Sequence, residues 1–173
     1  MKSYLDRNYQ KNLTILIIDN IIDPRNLGSC LRSAAVLGVD AVIINKHQCA
    51  PVNQVVHDVS SGGIELLNIF YVSNLINCLK HLQDENIKVF GLSEHADMSY
   101  QNCNFENSTA IIMGSEEFGI RQKTAEKCDL LINLSDNKNF KSFNVAVATG
   151  IILSEVVRPV SYTHLTLPTN SSV

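Results

Sequence analysis

The chain has 173 residues, a mass of 19.2 kDa and 45% hydrophobic residues, which suits one domain with a substantial core. Its formal net charge of −3 argues against a broad nucleic-acid-binding surface, because phosphate contacts need clustered lysine and arginine. No apolar run reaches the roughly 18 to 20 residues that cross a bilayer, and the polar start is unlike a signal peptide, so we expect a soluble, cytoplasmic protein.

The first predicted unit is a strand, a helix and a second strand. Residues 13–19 form a continuous β-branched run, which is typical of a strand buried on both faces of a parallel sheet. Asp23 and Pro24 then mark a helix start, because Asp23 can cap free N–H groups and proline is tolerated at the first helical position. The helix is predicted over 24–37 with Gly38 as its stop, and residues 41–44 form the next strand.

The same alternation continues to residue 157. Strands are predicted at 69–72, 88–92, 110–113 and 130–132, and the last helix at 144–157. Between them, residues 74–85 have the period of an amphipathic helix, with Leu75, Leu79 and Leu82 facing inward. Alternating strands and helices predict an α/β fold with a mostly parallel sheet and helices on both faces.

The chain divides into a short lead-in at 1–12, one domain at 13–158 and a tail at 159–173. The tail has no helical period and follows a helix that Pro159 breaks. It also matches one reading frame of a common transposase sequencing adapter. We therefore expect the tail to be non-native read-through and exclude it from the predicted fold.

The cysteines and histidines are scattered along the chain, which argues against both metal binding and triad hydrolysis. No Cys-x-x-Cys pair or nearby histidine gives a metal-ligand spacing, so we predict no metal site. No histidine pairs with a serine or cysteine in a nucleophile motif, which argues against triad hydrolysis. The five cysteines are expected to be reduced thiols.

Basic residues are few, so any phosphate contact must be local. Three groups are candidates, and each is equally typical of a solvated face. They are Arg25 with Arg32, then Arg121 with Lys123 and Lys127, then Lys138 with Lys141.

A first unusual segment, residues 23–35, directly follows the first strand. Loops after the carboxyl ends of parallel strands form the ligand crevice of such sheets. Arg25, Gly28 and Arg32 share one helical face, where the missing side chain of Gly28 lets a ligand or a neighbouring backbone approach. Ordinary surface arginines and a packing glycine are the alternative.

Two further segments are unlike ordinary core or loop. Residues 113–120 end a strand in an acidic, glycine-containing loop, which can offer backbone groups to an adenosine or be a plain turn. In residues 142–148, Ser142 or Asn144 is a normal N-cap. The small residues Ala146, Ala148 and Gly150 allow a close helix contact, either in the core or between subunits.

Together, the three segments resemble the three sequence motifs of the SpoU family of SPOUT methyltransferases, a TrmH-like group of RNA 2′-O-ribose methyltransferases. The first motif, Asn-x-Gly-x-x-x-Arg, is matched by Asn26, Gly28 and Arg32. The second, Met-Gly-x-Glu-x-x-Gly, is matched by Met113, Gly114, Glu116 and Gly119. The third is matched by Ser142, Asn144, Val145, Glu155 and Arg158.

The resemblance implies a fold with a C-terminal trefoil knot, a homodimer, and transfer of a methyl group from S-adenosylmethionine to a ribose 2′-hydroxyl of RNA. The string around Asn26 looks most like the branch that methylates a guanosine of 23S ribosomal RNA; transfer RNA is the alternative substrate. By position in the motifs, the cofactor is expected at Gly114, Leu134, Phe143, Leu92 and Ser93. A larger residue at Gly114 is expected to intrude on the adenosine pocket.

The reaction and ribose-handling residues implied by the resemblance are Arg32, Asn144, Asn26, Glu116 and Ser142. A guanidinium keeps its charge in almost any site, so Arg32 is expected to bind a phosphate and stabilise negative charge on the ribose oxygen rather than act as base. Asn144 and Ser142 are expected to orient the ribose. Glu116, water and a phosphate oxygen all stay open as the proton acceptor.

The sequence departs from the family pattern before the third motif. Residues 134–139 replace the usual Ile-Pro-Met stretch, Phe143 replaces a leucine and Ala146 a serine, which changes the shape of the cofactor pocket. A non-catalytic RNA-binding relative of the same fold is therefore an alternative. A dinucleotide-dependent enzyme is not supported, because the first strand-to-helix turn lacks a Gly-x-Gly-x-x-Gly loop.

Overall fold

A parallel sheet of seven strands forms the centre of the computed structural model, which describes residues 1–8, 10–135, 137 and 142–158. The strand order is β3-β2-β1-β6-β4-β7-β5, and every described pair of strands is parallel. The predicted α/β fold is confirmed. The strands are β1 Thr14–Ile18, β2 Ala41–Asn45, β3 Ile69–Val72, β4 Lys88–Leu92, β5 Met98–Ser99, β6 Thr109–Met113 and β7 Leu130–Asn133.

Helices cover both faces of the sheet. They are α1 Lys2–Arg7, α2 Pro24–Val36, α3 Gln54–Ser60, α4 Leu75–Asp84, α5 Gln122–Ala125 and α6 Val145–Val156. On one face, α2, α3 and α6 bury apolar side chains against Leu16 and Ile18 of β1. On the other face, α1, α4 and α5 pack against Ile15 and Ile17 of the same strand. A strand buried on both sides must be apolar at every position, which explains the unbroken run in β1.

The start and end of α2 follow the predicted signals. Asp23 caps the helix, since its carboxylate accepts a hydrogen bond from the Arg25 backbone N–H at 2.9 Å, and Pro24 is the first helical residue. The helix ends at Val36, and Gly38 has a φ of +69°. Glycine suits that position because a left-handed conformation carries no steric penalty without a Cβ.

Three short α-helices and one short strand were not predicted, namely α1, α3, α5 and β5, and neither were the 3₁₀ helices Gly63–Leu66 and Tyr100–Asn102. α1 lies inside the predicted lead-in, where Leu5 is buried against the core. α3 begins at a cap in which Asn53 accepts from the Val56 backbone N–H at 3.2 Å, but only Val56 and Ser60 are buried in it. Helices of one or two turns present too few apolar positions for a period to emerge.

Some predictions fall on residues outside those described. They are the tail at 159–173 and the pair Lys138 and Lys141. The trefoil knot also stays a prediction. Among the described helices, none has both the length and the apolar character needed to span a bilayer.

Asn20, two residues after the end of β1, has the least favourable backbone conformation of the described residues other than glycine. Its φ is +122°, a region that L side chains rarely adopt. Its side-chain Oδ1 is also buried without a hydrogen-bond partner among the described residues. Strain of this kind costs about 1–3 kcal/mol, and an unpaired buried oxygen adds to it.

We therefore predict that Asn20→Gly raises the free energy of unfolding by about 1 kcal/mol, because it removes both the strain and the unpaired oxygen. Urea denaturation measures the change. Asn86→Gly is the control, since Asn86 has a φ of +59° in the left-handed region that asparagine tolerates. A smaller gain for Asn20→Gly than for Asn86→Gly would show that the φ of Asn20 carries no strain.

Candidate active site

A cleft of about 250 Å³ opens at the carboxyl ends of β4, β6 and β7. This is the edge where parallel sheets bind ligands. All five residues at which the cofactor was expected line the cleft, namely Leu92, Ser93, Gly114, Leu134 and Phe143. Two of the expected reaction residues, Glu116 and Ser142, line it as well.

The cleft has apolar walls and an acidic rim. Met113, Ile120 and Ile132 lie on its walls, while Glu94 and Glu117 contribute carboxylates. Met113 was expected only as a residue of the second motif, and the other four were not predicted to lie at the site. A usable signal was present, because each lies at or within two residues of a predicted strand end or inside the acidic loop.

The loop of residues 114–120, which we call the cleft loop, closes on itself. The Ser115 backbone N–H donates to the Gly119 carbonyl at 3.1 Å, and the Gly119 N–H donates to the Ser115 carbonyl at 2.9 Å. A Cβ on Gly114 would lie 2.1 Å from the Gly119 carbonyl carbon and oxygen. A side chain at Gly114 therefore collides first with the loop backbone, which corrects the expectation that it would chiefly intrude on the adenosine pocket.

The three motif segments meet in a hydrogen-bonded cluster of Asn26, Glu116 and Asn144. The side-chain Nδ2 of Asn144 donates to Asn26 Oδ1 at 3.2 Å and to Glu116 Oε1. Glu116 Oε1 also accepts the backbone N–H of Val145 at 3.0 Å. The cluster joins the start of α2, the cleft loop and the start of α6.

Asn144 is the N-cap of α6, as one reading of its sequence predicted. Its Oδ1 accepts the backbone N–H groups of Ala146 at 3.0 Å and Val147 at 3.4 Å. Both amide hydrogens and both oxygen lone pairs of Asn144 are thus engaged within the chain. These contacts fix the orientation of the amide, because the helix N–H groups require its oxygen and Glu116 requires its nitrogen.

Arg32 lies apart from this cluster. It is exposed, does not line the cleft, and forms no hydrogen bond or ion pair with another described residue. Six residues separate it from Asn26 on α2, which corresponds to about 9 Å along the helix axis. The single chain therefore brings Asn26, Glu116 and Asn144 together with Ser142 nearby at the cleft, but not Arg32.

The close approach allowed by Gly28 is to a helix of the same chain. A Cβ on Gly28 would lie 2.9 Å from Val59 Cβ and 3.0 Å from the Val56 carbonyl oxygen. Of the two approaches that the missing side chain permits, the neighbouring backbone is the one found. Gly28 is therefore a packing glycine between α2 and α3.

The contact between α6 and α2 is part of the core. Cys30 Sγ lies 3.3 Å from Thr149 Oγ1, and both residues are buried. Burial raises the pKa of the Cys30 thiol to about 11, so the thiol is neutral near pH 7 and is not an activated nucleophile. The small residue Ala148 packs in this same core cluster.

In the predicted basic group of Arg121, Lys123 and Lys127, Arg121 forms an ion pair within the chain. Arg121 Nη2 lies 2.7 Å from Asp19 Oδ1, and the Asp19 side chain is fully buried. Arg121 is thereby engaged inside the protein rather than free for a phosphate. Lys123 and Lys127 remain exposed.

Residues 13–154 match the family model described as the SpoU rRNA Methylase family. The chain is 39% identical over 149 residues to the 23S rRNA (guanosine-2'-O-)-methyltransferase RlmB of Xanthomonas campestris pv. campestris, covering 86% of this chain and 60% of that protein. It is 41% identical over 144 residues to the protein of the same name from Escherichia coli K12, covering 83% and 59%. The chain thus spans about 60% of the length of these curated relatives.

Solved structures with similar folds agree with this match. The SpoU methyltransferase AviRb from Streptomyces viridochromogenes superposes with a TM-score of 0.80 at 25% identity, over 89% of this chain and 62% of that one. An RNA 2′-O ribose methyltransferase gives a TM-score of 0.74 at 26% identity, over 85% and 56%. The TrmH/SpoU tRNA modifying enzyme of A. aeolicus, at 23% identity and a TM-score of 0.74 over 91% and 82%, shares the fold.

The closure of the cleft loop generates a stability prediction. Gly114→Ala should lower the free energy of unfolding by about 3 kcal/mol, because its Cβ would overlap backbone that has no room to move. Gly119→Ala is the matched control in the same loop: its Cβ meets no atom within 4 Å, and only its φ of +63° adds strain, of about 1 kcal/mol. Urea denaturation compares the two, and equal losses would mean that the close approach at Gly114 relaxes easily.

Proposed function

The chain belongs to the SpoU rRNA methylase family, and from that premise we propose that its domain at 13–158 transfers a methyl group from S-adenosylmethionine to a ribose 2′-hydroxyl of RNA. The observation that carries this proposal is the hydrogen-bonded meeting of Asn26, Glu116 and Asn144 beside the cleft. We propose a guanosine of 23S ribosomal RNA as the target, supported by the names of the curated relatives.

The cleft suits the chemical groups of S-adenosylmethionine. Apolar walls favour a purine ring, and the backbone groups of the cleft loop can hydrogen-bond its edge. Carboxylates on the rim favour ribose hydroxyls and positive charge. We propose that Gly114, Leu134 and Phe143 hold the cofactor with Leu92 and Ser93; when bound, it supplies a methyl group on a positively charged sulfur.

The cluster contacts suggest how the ribose is held. Because the amide of Asn144 is fully engaged, we assign Asn144 to positioning and the ribose contact to Ser142, which lines the cleft. Glu116 Oε1 already accepts two hydrogen bonds, so we assign Glu116 to holding the start of α6. The hydroxyl proton is then assigned to water or to a phosphate oxygen of the RNA.

We assign Arg32 to stabilising the transition state of methyl transfer. Its guanidinium stays charged and, having no partner among the described residues, is free to bind an RNA phosphate and stabilise negative charge on the ribose oxygen. Because it lies outside the cleft of its own chain, we propose that a second subunit supplies it.

A homodimer would bring the parts of the site together. Val147 on α6 is 52% exposed and Phe143 just before α6 is 41% exposed, so apolar surface lies directly beside Asn144. The opposite side of α6 is buried against the core. We propose that this exposed side of α6 forms the subunit interface.

The proposed reaction is tested by incubating the purified chain with labelled S-adenosylmethionine and total RNA that lacks ribose methylation, and mapping the label. We expect label at one guanosine 2′-oxygen of 23S RNA. Label in transfer RNA would replace the proposed substrate. Cofactor binding without label in any RNA would instead indicate a non-catalytic RNA-binding relative.

Arg32→Ala should reduce turnover at least about a hundredfold, because it removes charge stabilisation of the transition state. Binding of S-adenosylmethionine, measured by calorimetry, should change less than about twofold, since Arg32 does not line the cleft. Lys80→Ala is the control, as it removes the same charge from an exposed site on α4 that is not part of the cleft. A large loss of cofactor affinity in Arg32→Ala would exclude the assignment.

Val147→Lys should convert the dimer to a monomer in light scattering, because a charged side chain would be buried in an apolar interface. Tyr71→Lys introduces the same charge at an exposed position on the edge strand β3 and should leave the dimer intact. A dimer that survives Val147→Lys would place the interface elsewhere.

A further inference from the structure

We propose that Asp19 and Arg121 form a positioning pair that holds both ends of the cleft loop and thereby sets the shape of the cleft. The effect of this pair on the cofactor rests on the proposed function. The geometry of the loop itself does not.

Asp19 has a fully buried carboxylate, and most of the hydrogen bonds that it accepts come from Arg121. Arg121 Nε donates to Asp19 Oδ1 at 2.9 Å and to Oδ2 at 3.2 Å, and Arg121 Nη2 lies 2.7 Å from Oδ1. Asn45 Nδ2 adds one hydrogen bond to Oδ1 at 3.2 Å. A buried charge is strongly unfavourable without such partners, so the position of Arg121 is dictated by Asp19.

The same residue contacts the chain where the cleft loop begins and where it ends. At the beginning, the Asp19 backbone N–H donates to the Met113 carbonyl at 2.9 Å. At the end, the Arg121 backbone N–H donates to Asp19 Oδ2 at 3.3 Å. Every residue from 114 to 120 lines the cleft. Asp19, the residue that follows β1, therefore contacts the chain at both ends of this cleft wall.

The pair also relates the cleft loop to the first motif. Asp19 leads through a short connection into α2, which carries Asn26, and the cleft loop carries Glu116. These two side chains meet only through Asn144. The Asp19–Arg121 pair is a second link between these two segments, and it does not involve α6.

Stability alone does not account for this arrangement. A buried ion pair contributes little net stability compared with apolar residues of similar volume, because desolvation offsets the attraction. Its directional hydrogen bonds, in contrast, define a geometry that apolar contacts do not. The Arg121 side chain is 37% exposed, so it can turn to water if Asp19 ceases to hold it.

The test compares Arg121→Gln with Lys123→Gln. Lys123 lies two residues further on, in α5, and its substitution removes the same charge at a position that does not contact Asp19. Hydrogen exchange reports on the amides of Ser115 and Gly119, which are bonded within the loop. We expect about tenfold faster exchange of these amides in Arg121→Gln, with the amides of β1 and β6 unchanged, and about tenfold weaker S-adenosylmethionine binding. Lys123→Gln should match the wild type in both.

Unchanged loop exchange in a folded Arg121→Gln protein would overturn the proposal, and so would an equal rise in exchange throughout the sheet, which would indicate a merely structural role. If Arg121→Gln fails to fold, Asp19→Asn combined with Arg121→Gln removes the unpaired buried charge and is judged by the same two readouts. If the wild type binds no S-adenosylmethionine, the proposed function fails, while loop exchange still decides the role of the pair.

Discussion

The geometry of the candidate site depends on the hydrogen bonds that the Glu116 carboxylate accepts at the start of α6. The first N–H groups of a helix have no partner within the helix and carry partial positive charge, so a carboxylate is favoured there. Glu116 Oε1 takes the Val145 N–H and also the Asn144 amide, which in turn reaches Asn26. Together with the Asn144 N-cap, this interaction satisfies the first N–H groups of α6 and joins three segments that are far apart in the chain.

This contact is possible because of how the sheet is built. All described strands run parallel, so their carboxyl ends gather at one edge. β6 lies between β1 and β4, which puts the cleft loop between the segment leading to α2 and the segment after β4. Helices cover both faces of the sheet, so the strands are apolar, and the polar groups converge at this edge. Asp19, at the centre of that edge, is buried but fully paired.

Local patterns in the sequence predicted the elements with strong periods or clear end signals. β3 and β4 have the predicted bounds, α2 begins at the Asp23 cap, and α4 buries Leu75, Leu79 and Leu82. The misses are all short: α1, α3, α5 and β5 contain between two and seven residues. In such segments, tertiary contacts of one or two side chains decide the conformation, and the segment is too short for a hydrophobic period to predict it.

The sequence by itself determined the alternation of strands and helices and the three motifs that indicate the family, because both are properties of residues close together in the chain. Only the tertiary structure decided which of those residues meet. Asn26 and Asn144 are 118 positions apart, and Asp19 and Arg121 are 102 positions apart. The tertiary structure also shows that Arg121, which the sequence groups with surface cations, pairs with the buried Asp19. Arg32 lies outside the cleft of its own chain. Contacts over such distances follow from strand order and helix packing, which local periodicity does not encode.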